Sequence, residues 1–423
     1  MREKGVVLRS QLREHENHNF IPEDLSSYKV VQPGDLVINK MKAWQGSMGI
    51  SQWHGIVSPA YFVFTLDIQE RDFSSRLLRS RPYVSFFGRA SDGVRIGQWD
   101  LSISGMKRIP ALIPPVAEQR QIGAFLTDFD RRINRAIRSK RRLIGLMEEQ
   151  KQAIIHRTVT RGLDPGVRLK PSGFHWLGEV PRHWQLSRLK FVASDIVDCL
   201  HATPVYVDGA PYAAIRTADI EPGRVRMASA RRISEAQYRL WTARLVPRAG
   251  DILYSREGER YGIAALVPED VELCISQRMM VFRIVPEHSS GYVMWLLNCP
   301  EVYSQAAADM IGATAPHVNV STIKNYVLAL PPRDEQLAIV SAITDAVAPL
   351  DEAKARADRE ISLLREYRTR LVADVVTGQL DVRGVSLPPL PDADAEDPEA
   401  GLDDADDADL LEAAESLDDD GQD

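Results

Sequence analysis

One run of residues occurs twice in this chain, and this repeat constrains the fold more than any other feature of the sequence. The first copy is Leu112-Ile-Pro-Pro-Val-Ala-Glu-Gln119, and the second is Leu330-Pro-Pro-Arg-Asp-Glu-Gln336. Corresponding residues are 217 positions apart at Pro115 and Pro332, at Gln119 and Gln336, and at Asp164 and Asp381. A constant offset across roughly 50 residues indicates an internal duplication.

Both copies lead into a long amphipathic helical pattern. Two prolines followed by acidic and polar residues are a helix start signal, and apolar residues then recur at alternating spacings of three and four, as in a coiled coil. The predicted contact positions of the first helix are Leu126, Phe129, Ile133, Ala136, Lys140, Leu143, Met147, Gln150 and Ile154. Those of the second helix, each 217 positions further on, are Ile343, Ala346, Leu350, Ala353, Ala357, Glu360, Leu364, Tyr367 and Leu371. The shared frame predicts that the two helices pack on each other.

The charges of the two helices are complementary. Residues 131–161 contain ten Lys or Arg against Glu148 and Glu149, whereas residues 334–374 contain nine acidic residues against six basic ones. A positive helix facing a negative one favours association, although each exposed ion pair contributes little. The charge pattern therefore supports the predicted packing.

The segments that precede the two helices have related strand and turn patterns. Tyr28 to Lys40 predicts a strand, a Pro-Gly turn and a second strand, and Phe73 to Phe87 predicts a helix. Residues 246–256 repeat the Gly34-Asp35 turn at an offset of 216, and residues 274–282 correspond to 56–64 at an offset of 218. The predicted fold class is α+β, with two pseudo-repeated α+β domains and two long helices.

The net charge of −7 conceals two parts of opposite sign. Residues 386–423 hold sixteen Asp or Glu and no Lys or Arg, so the preceding 385 residues contain 52 basic and 43 acidic residues and carry a net charge of +9. A segment so rich in like charge and poor in aromatic residues is predicted to be disordered. A basic body is typical of a nucleic-acid-binding protein.

Several other classes of protein are disfavoured. No apolar run approaches the roughly 20 residues of a membrane-spanning helix, and no signal peptide is evident, so we expect a cytoplasmic protein. Cys199, Cys274 and Cys299 lie far apart, which argues against a disulfide framework or a zinc cluster and for buried thiols. The sequence has no phosphate-binding Gly-x-x-x-x-Gly-Lys-Ser/Thr loop, no Gly-x-Gly-x-x-Gly and no methyltransferase motif of the Asn-Pro-Pro-Phe type. We therefore expect no catalytic site and no metal site in this chain.

Four motifs in combination resemble the specificity (S) subunit of type I restriction-modification systems. They are Pro-Gly-Asp-Leu-Val-Ile-Asn-Lys-Met-Lys-Ala-Trp-Gln-Gly at 33–46, Gly-Ile-Val-Ser-Pro-Ala-Tyr at 55–61, Trp-Leu-Gly-Glu-Val-Pro-x-x-Trp at 176–184, and the paired Pro-Pro-x-x-Glu-Gln helices. The match extends from residue 5 to about residue 384.

This resemblance implies a defence protein that directs DNA methylation and restriction. Two target-recognition domains would each recognise one half of a bipartite site in double-stranded DNA, separated by two long helices packed as an antiparallel coiled coil. The helices would set the spacer and dock two methyltransferase (M) subunits, with restriction/translocase (R) subunits completing the complex. S-adenosylmethionine, ATP and magnesium would belong to those partners. The 28 residue-to-residue steps from Leu126 to Ile154, at about 1.5 Å each, would span about 42 Å, comparable with one turn of B-DNA at about 34 Å.

The resemblance also implies a division of the chain. The expected parts are target-recognition domain 1 at 1–115, a central conserved helix at 116–163, a linker and leading loop at 164–184, target-recognition domain 2 at 185–332, a C-terminal conserved helix at 333–384, and an acidic tail at 385–423. The second repeat begins near Trp176, and its counterpart 217 residues earlier would precede Met1. The first recognition domain is therefore expected to be truncated at its start. The alternative function is a coiled-coil scaffold or dimerisation protein whose DNA recognition has decayed.

Loops that mix base-edge donors with aromatic residues are the candidate DNA-binding sites. The candidates are Lys40, Lys42, Trp44 and Gln45 in the first domain, and Arg216, Thr217, Arg256, Glu257, Arg260, Tyr261, Gln277, Arg278, Thr314, His317 and Asn319 in the second. The alternatives are a core role for Trp44, a strand-edge position for Gln277 and Arg278, and backbone support or phosphate contact at Thr314, His317 and Asn319.

The helices supply a second set of candidates, for docking of partner subunits or contact with the spacer DNA. They are Arg131, Arg132, Arg135, Arg138, Arg141, Arg142, Leu143, Met147, Leu350, Leu364, Tyr367 and Leu371. The alternative for the arginines is a solvated helix face.

Overall fold

Two compact units make up the part of the chain that the structure, a computed structural model, describes. The described residues are 5–11, 23–95, 98–258, 260–310 and 318–386. The first unit comprises those within Met1–Leu143 and Arg356–Asp423, and the second those within Ile144–Ala355. Both units combine helices with strands, which confirms the predicted α+β class.

Short antiparallel strands and two helices form the body of the first unit. Its elements are β1 (Lys29–Val31), β2 (Leu36–Asn39), β3 (Met48–Ile50), β4 (Gly55–Val57), β5 (Tyr61–Phe64), α1 (Arg71–Arg79), α2 (Arg81–Arg89), β6 (Ser91–Arg95), β7 (Gln98–Leu101) and α3 (Ile103–Met106). Strand β2 lies between β3 and β5, whereas β1 pairs with β4. The strand-turn-strand prediction is therefore right in its elements, although β1 and β2 do not pair with each other.

The predicted helix at Phe73–Phe87 is two helices. Ser80 has extended backbone angles, and it ends α1 and precedes α2. Pro82 lies in the first turn of α2, where a missing N–H costs no intrahelical hydrogen bond. Phe73, Leu77 and Phe87 are buried in one core.

The two long helices are α4 (Val116–Arg161) and α10 (Arg333–Val376), and segments of them pair in each unit. In the first unit Asp130 accepts a hydrogen bond from Arg368 at 2.7 Å, and Lys140 pairs with Glu360. In the second unit Glu148 pairs with Lys354, and Lys151 donates to Asp351 at 2.7 Å. Residue numbers rise along one helix as they fall along the other, so the helices are antiparallel.

The buried positions of the helices differ from the predicted ones at several contacts, although the predicted Phe129 and Tyr367 rings meet edge-on with centroids 5.5 Å apart. Leu126, Ile133, Met147, Ile343, Ala357 and Leu371 are buried as predicted. Leu143 and Tyr367 are instead 50% and 53% exposed, while Ile137, Ile361 and Val375 are buried. In these heptads the second buried position lies four residues after the first, as in Ile133 and Ile137. The prediction placed the second position three residues after the first. In several heptads the larger apolar side chain stands at the later position, so this frame buries more apolar surface.

Alanine substitutions at two nearby helix positions test this frame. Ile361 is 6% exposed and Leu363 is 63% exposed. Ile361→Ala should lower the free energy of unfolding by about 2 to 5 kcal/mol because it removes buried methyl groups. Leu363→Ala is the control and should change it by no more than about 0.5 kcal/mol. Denaturant titration measures both, and equal losses would contradict the frame.

The second unit contains a four-stranded antiparallel sheet and a three-stranded mixed sheet. Its strands are β8 (Leu169–Pro171), β9 (Glu179–Pro181), β10 (Gln185–Arg188), β11 (Ala193–Asp198), β12 (Tyr212–Ile215), β13 (Ile220–Glu221), β14 (Arg224–Val225), β15 (Arg231–Ile233), β16 (Ile252–Ser255), β17 (Ala264–Leu266), β18 (Leu273–Ile275), β19 (Met279–Ile284) and β20 (Val327–Leu330). The strand orders are β11-β19-β16-β17 and β15-β12-β18, with β12 parallel to β18. Its shorter helices are α5 (Leu189–Val192), α6 (Glu235–Trp241), α7 (Ser290–Leu297), α8 (Pro300–Tyr303) and α9 (Val320–Lys324).

Large aromatic side chains fill the core of the second unit. Trp184, Tyr254, Phe282, Tyr292 and Tyr326 are fully buried. Trp184 donates its Nε1 hydrogen to Glu335 at 3.1 Å, so the leading loop is fixed to the start of α10.

The three cysteines are buried as predicted, and burial raises the pKa of the Cys274 thiol to about 12. No helix in the described ranges is both long enough and apolar enough to span a lipid bilayer.

The glutamine of the repeated motif makes the same two bonds in each unit. Gln119 donates to the Pro114 carbonyl at 2.8 Å and accepts from the Glu70 N–H, just before α1, at 3.3 Å. Gln336 donates to the Pro331 carbonyl at 2.9 Å and accepts from the Ser289 N–H, just before α7, at 2.8 Å. Both side chains are buried. The motif thus fastens the start of each long helix to the start of a preceding short helix.

Candidate nucleic-acid interface

Most of the candidate residues of the second unit lie together at one edge of its two sheets. Arg216 and Thr217 follow β12, the residues from Arg256 to Tyr261 follow β16, and Gln277 and Arg278 precede β19. The Ser276 N–H donates to the Ile215 carbonyl at 2.8 Å, and the Arg256 N–H donates to the Arg278 carbonyl at 2.9 Å. These backbone bonds bring three loops that are far apart in the sequence into one surface.

Arg256 lies beneath this surface. Its side chain is only 3% exposed; it donates to the Asp198 carboxylate at 2.8 Å and pairs with Glu257. Its Nε hydrogen has no acceptor among the described residues. Asp198 is also 3.3 Å from the exposed His201. This position suits support of the loop that starts at Arg256, and DNA contact by Arg256 itself stays a prediction.

Arg216 and Arg260 direct their donors to protein acceptors. Arg216 binds both oxygens of Asp219, at 3.0 and 3.1 Å, and this hydrogen bonding raises the pKa of its guanidinium. Arg260 is exposed, yet it donates to the carbonyls of Thr217 at 3.2 Å and Ile220 at 2.6 Å. The two arginines therefore tie the 216–220 segment to the loop after β16.

Tyr261 packs against the protein. Its ring meets that of Tyr303 edge-on, with centroids 5.5 Å apart, and burial raises the pKa of the Tyr261 hydroxyl. The following Gly262 has a φ of +86°, and an added Cβ would lie 2.8 Å from the Tyr303 ring. The loop after β16 therefore turns sharply against α8.

Gln277 and Arg278 form the turn between β18 and β19, and both are exposed. They are in a turn, unlike the strand-edge alternative. Arg278 has a φ of 68°, a left-handed conformation that costs a residue other than glycine about 1 to 3 kcal/mol. Its Nη1 atom lies 3.7 Å from the position that a Cβ would take on Gly258. Arg278 therefore projects over the loop that follows β16.

The last three candidates of this unit are Thr314, His317 and Asn319. Thr314 and His317 lie outside the described residues. Asn319 is exposed and immediately precedes α9. These three positions stay predictions.

The candidate residues of the first unit lie between β2 and β3, in and beside a short 3-10 helix at Ala43–Gln45. Trp44 donates to the Met41 carbonyl at 3.1 Å and packs on Trp99, with ring centroids 5.3 Å apart. Lys42 is exposed, whereas Gln45 is half-buried. Trp44 thus contributes to packing at the base of this loop while remaining half-buried.

Lys40 has a neighbour that the sequence did not indicate. Its ammonium group lies 4.9 Å from the centre of the Phe62 ring, and that of Lys29 lies 5.3 Å from the same ring. Burial, and secondarily Lys40, lowers the pKa of Lys29. No carboxylate among the described residues pairs with either lysine. Two cations therefore share one aromatic ring, and the Lys29 ammonium also donates to the Tyr61 carbonyl at 2.7 Å.

The candidates on the helices differ in exposure. Arg132, Arg135 and Arg142 are exposed, whereas Arg131, Arg138 and Arg141 are half-buried. Leu143 and Tyr367 are exposed apolar side chains, Leu350 and Leu364 are half-buried, and Met147 and Leu371 are buried within their own unit. The exposed residues are the ones available to a partner.

Comparisons with known proteins support the resemblance inferred from the sequence. No family model matches the chain. The specificity subunit of the type I restriction enzyme MjaVIII from Methanocaldococcus jannaschii is 21% identical over 360 residues, which cover 84% of this chain and 78% of the relative. The EcoKI specificity subunit from Escherichia coli is 20% identical over 383 residues, covering 85% and 78%.

A solved structure shares the fold. It is described as showing complex assembly and conformational transition of the type I R-M system, and one of its chains superposes with a TM-score of 0.58 over 85% of both chains, at 18% identity. The predicted resemblance to type I specificity subunits is thereby confirmed.

Proposed function

We propose that this chain is the DNA-specificity subunit of a type I restriction-modification complex, and that each unit recognises one half of a bipartite DNA site. The observation that carries the proposal is the repeated architecture. Both units fasten a long helix to an α+β body through the same buried glutamine, while the loops at their candidate surfaces differ in sequence. Unlike loops on a repeated framework suit two half-sites of unlike sequence.

The helices α4 and α10 are proposed to set the spacer between the half-sites and to dock two methyltransferase subunits. Exposed Leu143 and Tyr367 and the exposed arginines of α4 supply apolar and charged groups for such contacts. Restriction/translocase subunits would complete the complex. The chain itself would be non-catalytic and cytoplasmic, with S-adenosylmethionine, ATP and magnesium bound by its partners.

The alternative is a coiled-coil scaffold that no longer recognises DNA. Sequencing of methylated bases in the host, with and without this gene, separates the two functions. Loss of one bipartite methylated motif on deletion is the expected result. An unchanged methylation pattern would favour the scaffold.

The paired lysines of the first unit provide a test of phosphate contact. Each phosphate neutralised by a lysine contributes about 0.9 to the slope of log affinity against log salt. In the complex with methyltransferase subunits, the double variant Lys29→Gln and Lys40→Gln should reduce that slope by about 2 and weaken binding to all duplexes alike. Fluorescence anisotropy at several salt concentrations measures the slope.

The control for this experiment is Lys190→Gln. Lys190 also lies over an aromatic ring, 5.2 Å from the centre of Phe191, but without a second lysine. Lys190→Gln should leave the slope of log affinity against log salt within about 1 of the wild-type value. A double variant with an unchanged slope would refute phosphate contact by the pair.

A further inference from the structure

The turn that carries Arg278 is built for a residue without a side chain. Arg278 and Asp270 are the residues other than glycine with positive φ in the described part of the chain, at 68° and 56°. Glycine adopts such angles without steric strain, because it lacks a Cβ. An arginine at this position is therefore unfavourable for the turn itself.

The surrounding structure holds the turn in this conformation. The Arg278 carbonyl accepts from the Arg256 N–H at 2.9 Å, and the Met279 carbonyl accepts from the Cys199 N–H at 3.1 Å. Met279 and Met280 are fully buried immediately after the turn. The strained backbone is thus fixed on both sides, and the Arg278 side chain projects from a rigid base.

Arg278 differs from the other arginines at this edge in what its donors do. Arg216, Arg256 and Arg260 donate to carboxylates or carbonyls of the protein. Among the described residues, none accepts a hydrogen bond from the Arg278 side chain, which is exposed beside the exposed Gln277. A guanidinium has five N–H donors in a planar fork, and the O6 and N7 atoms of guanine match two of them.

We infer that Arg278 is a specificity-determining residue that recognises a guanine in the major groove of the half-site bound by the second unit. This inference rests on the proposed function and names one contact within it. In this interpretation the backbone strain at Arg278 is tolerated because the guanidinium donors are needed for DNA recognition, although glycine would suit the turn better. Arg256 is buried below and supports the turn through its backbone N–H.

Arg278→Gly separates these two contributions, because glycine relieves the strain and removes the donors. The probe is a set of duplexes that carry the methylated motif found in the host, each changed at one base pair of one half-site. The complex with methyltransferase subunits should keep or raise its melting temperature. It should lose discrimination on the order of 10- to 100-fold at one G·C pair, and keep it at the other pairs.

Two further variants distinguish base recognition from other roles. Asp270→Gly relieves the same kind of strain in the turn between β17 and β18, and it should leave discrimination at every base pair unchanged. Arg278→Lys keeps the charge and a donor but not the planar fork, so it should lose part of the discrimination that Arg278→Gly loses, at the same base pair.

The outcomes separate this inference from the proposed function. A selective wild-type complex whose Arg278→Gly variant is equally selective would overturn the inference alone. Uniform weakening on all duplexes that Lys restores would identify a phosphate contact and would also overturn it. A wild-type complex without any sequence preference would overturn both.

Discussion

Replacing Gly223 with alanine should destabilise the second unit by roughly 3 to 5 kcal/mol or more, through overpacking added to backbone strain. Gly223 has a φ of +82°, and an added Cβ would lie 2.5 Å from the Trp295 ring. Trp295 belongs to the buried helix α7, so its ring has little room to move away. Chemical denaturation, monitored by circular dichroism, measures the change in the free energy of unfolding.

Gly250 is a matched control for this substitution. Its φ is +83°, and an added Cβ would meet no heavy atom within 4 Å. Gly250→Ala should therefore cost only the backbone strain, about 1 to 2 kcal/mol. The difference between the two variants isolates the steric contribution of Trp295. Similar losses for both would show that α7 yields and that packing against Gly223 is unimportant.

The second large effect is expected at the glutamine of the repeated motif. Gln336→Leu would leave the Ser289 N–H and the Pro331 carbonyl without their partner in a fully buried place. Each unsatisfied buried group costs about 1 to 3 kcal/mol, so the variant should lose about 2 to 5 kcal/mol of unfolding free energy. Urea titration provides the measurement.

Gln119→Leu is the equivalent change in the first unit. Its bond to the Glu70 N–H is longer, at 3.3 Å against 2.8 Å for Ser289, so its loss should be smaller. A greater loss at Gln119 than at Gln336, or a negligible loss at both, would be inconsistent with the proposed role of the motif.

Much of the fold could be predicted because duplication makes a pattern visible twice. The long helices, the α+β class and the buried cysteines are confirmed. The phase of the helix contacts was wrong at several positions where two apolar residues are neighbours, whereas the predicted Phe129 and Tyr367 rings do meet, with centroids 5.5 Å apart. Ala136 precedes Ile137 and Ala346 precedes Val347, and spacing alone does not say which of two apolar neighbours is buried.

The candidate site was less predictable than the fold. Residue type alone made Arg256 and Arg278 equal candidates for DNA contact, yet Arg256 is buried and Arg278 is exposed. The difference arises from Asp198, which pairs with Arg256 from 58 positions away. Lys29 was missed for a similar reason, since only strand pairing brings it to the ring that Lys40 also covers. Such partners depend on tertiary structure, which local patterns do not encode.

The two units are made from the chain in different ways, and this has a consequence for synthesis. The second unit is one continuous segment, Ile144–Ala355, whereas the first combines residues up to Leu143 with residues from Arg356 onward. Leu371, Val375, Val376 and Val382 belong to the core of the first unit. During translation, the segment up to Leu143 therefore cannot complete its core until residues 371–382 have been synthesised. The segment Ile144–Ala355 already contains all of its own core residues. Apolar surface that stays exposed in this early segment makes the first unit the part more prone to aggregate before its core is complete.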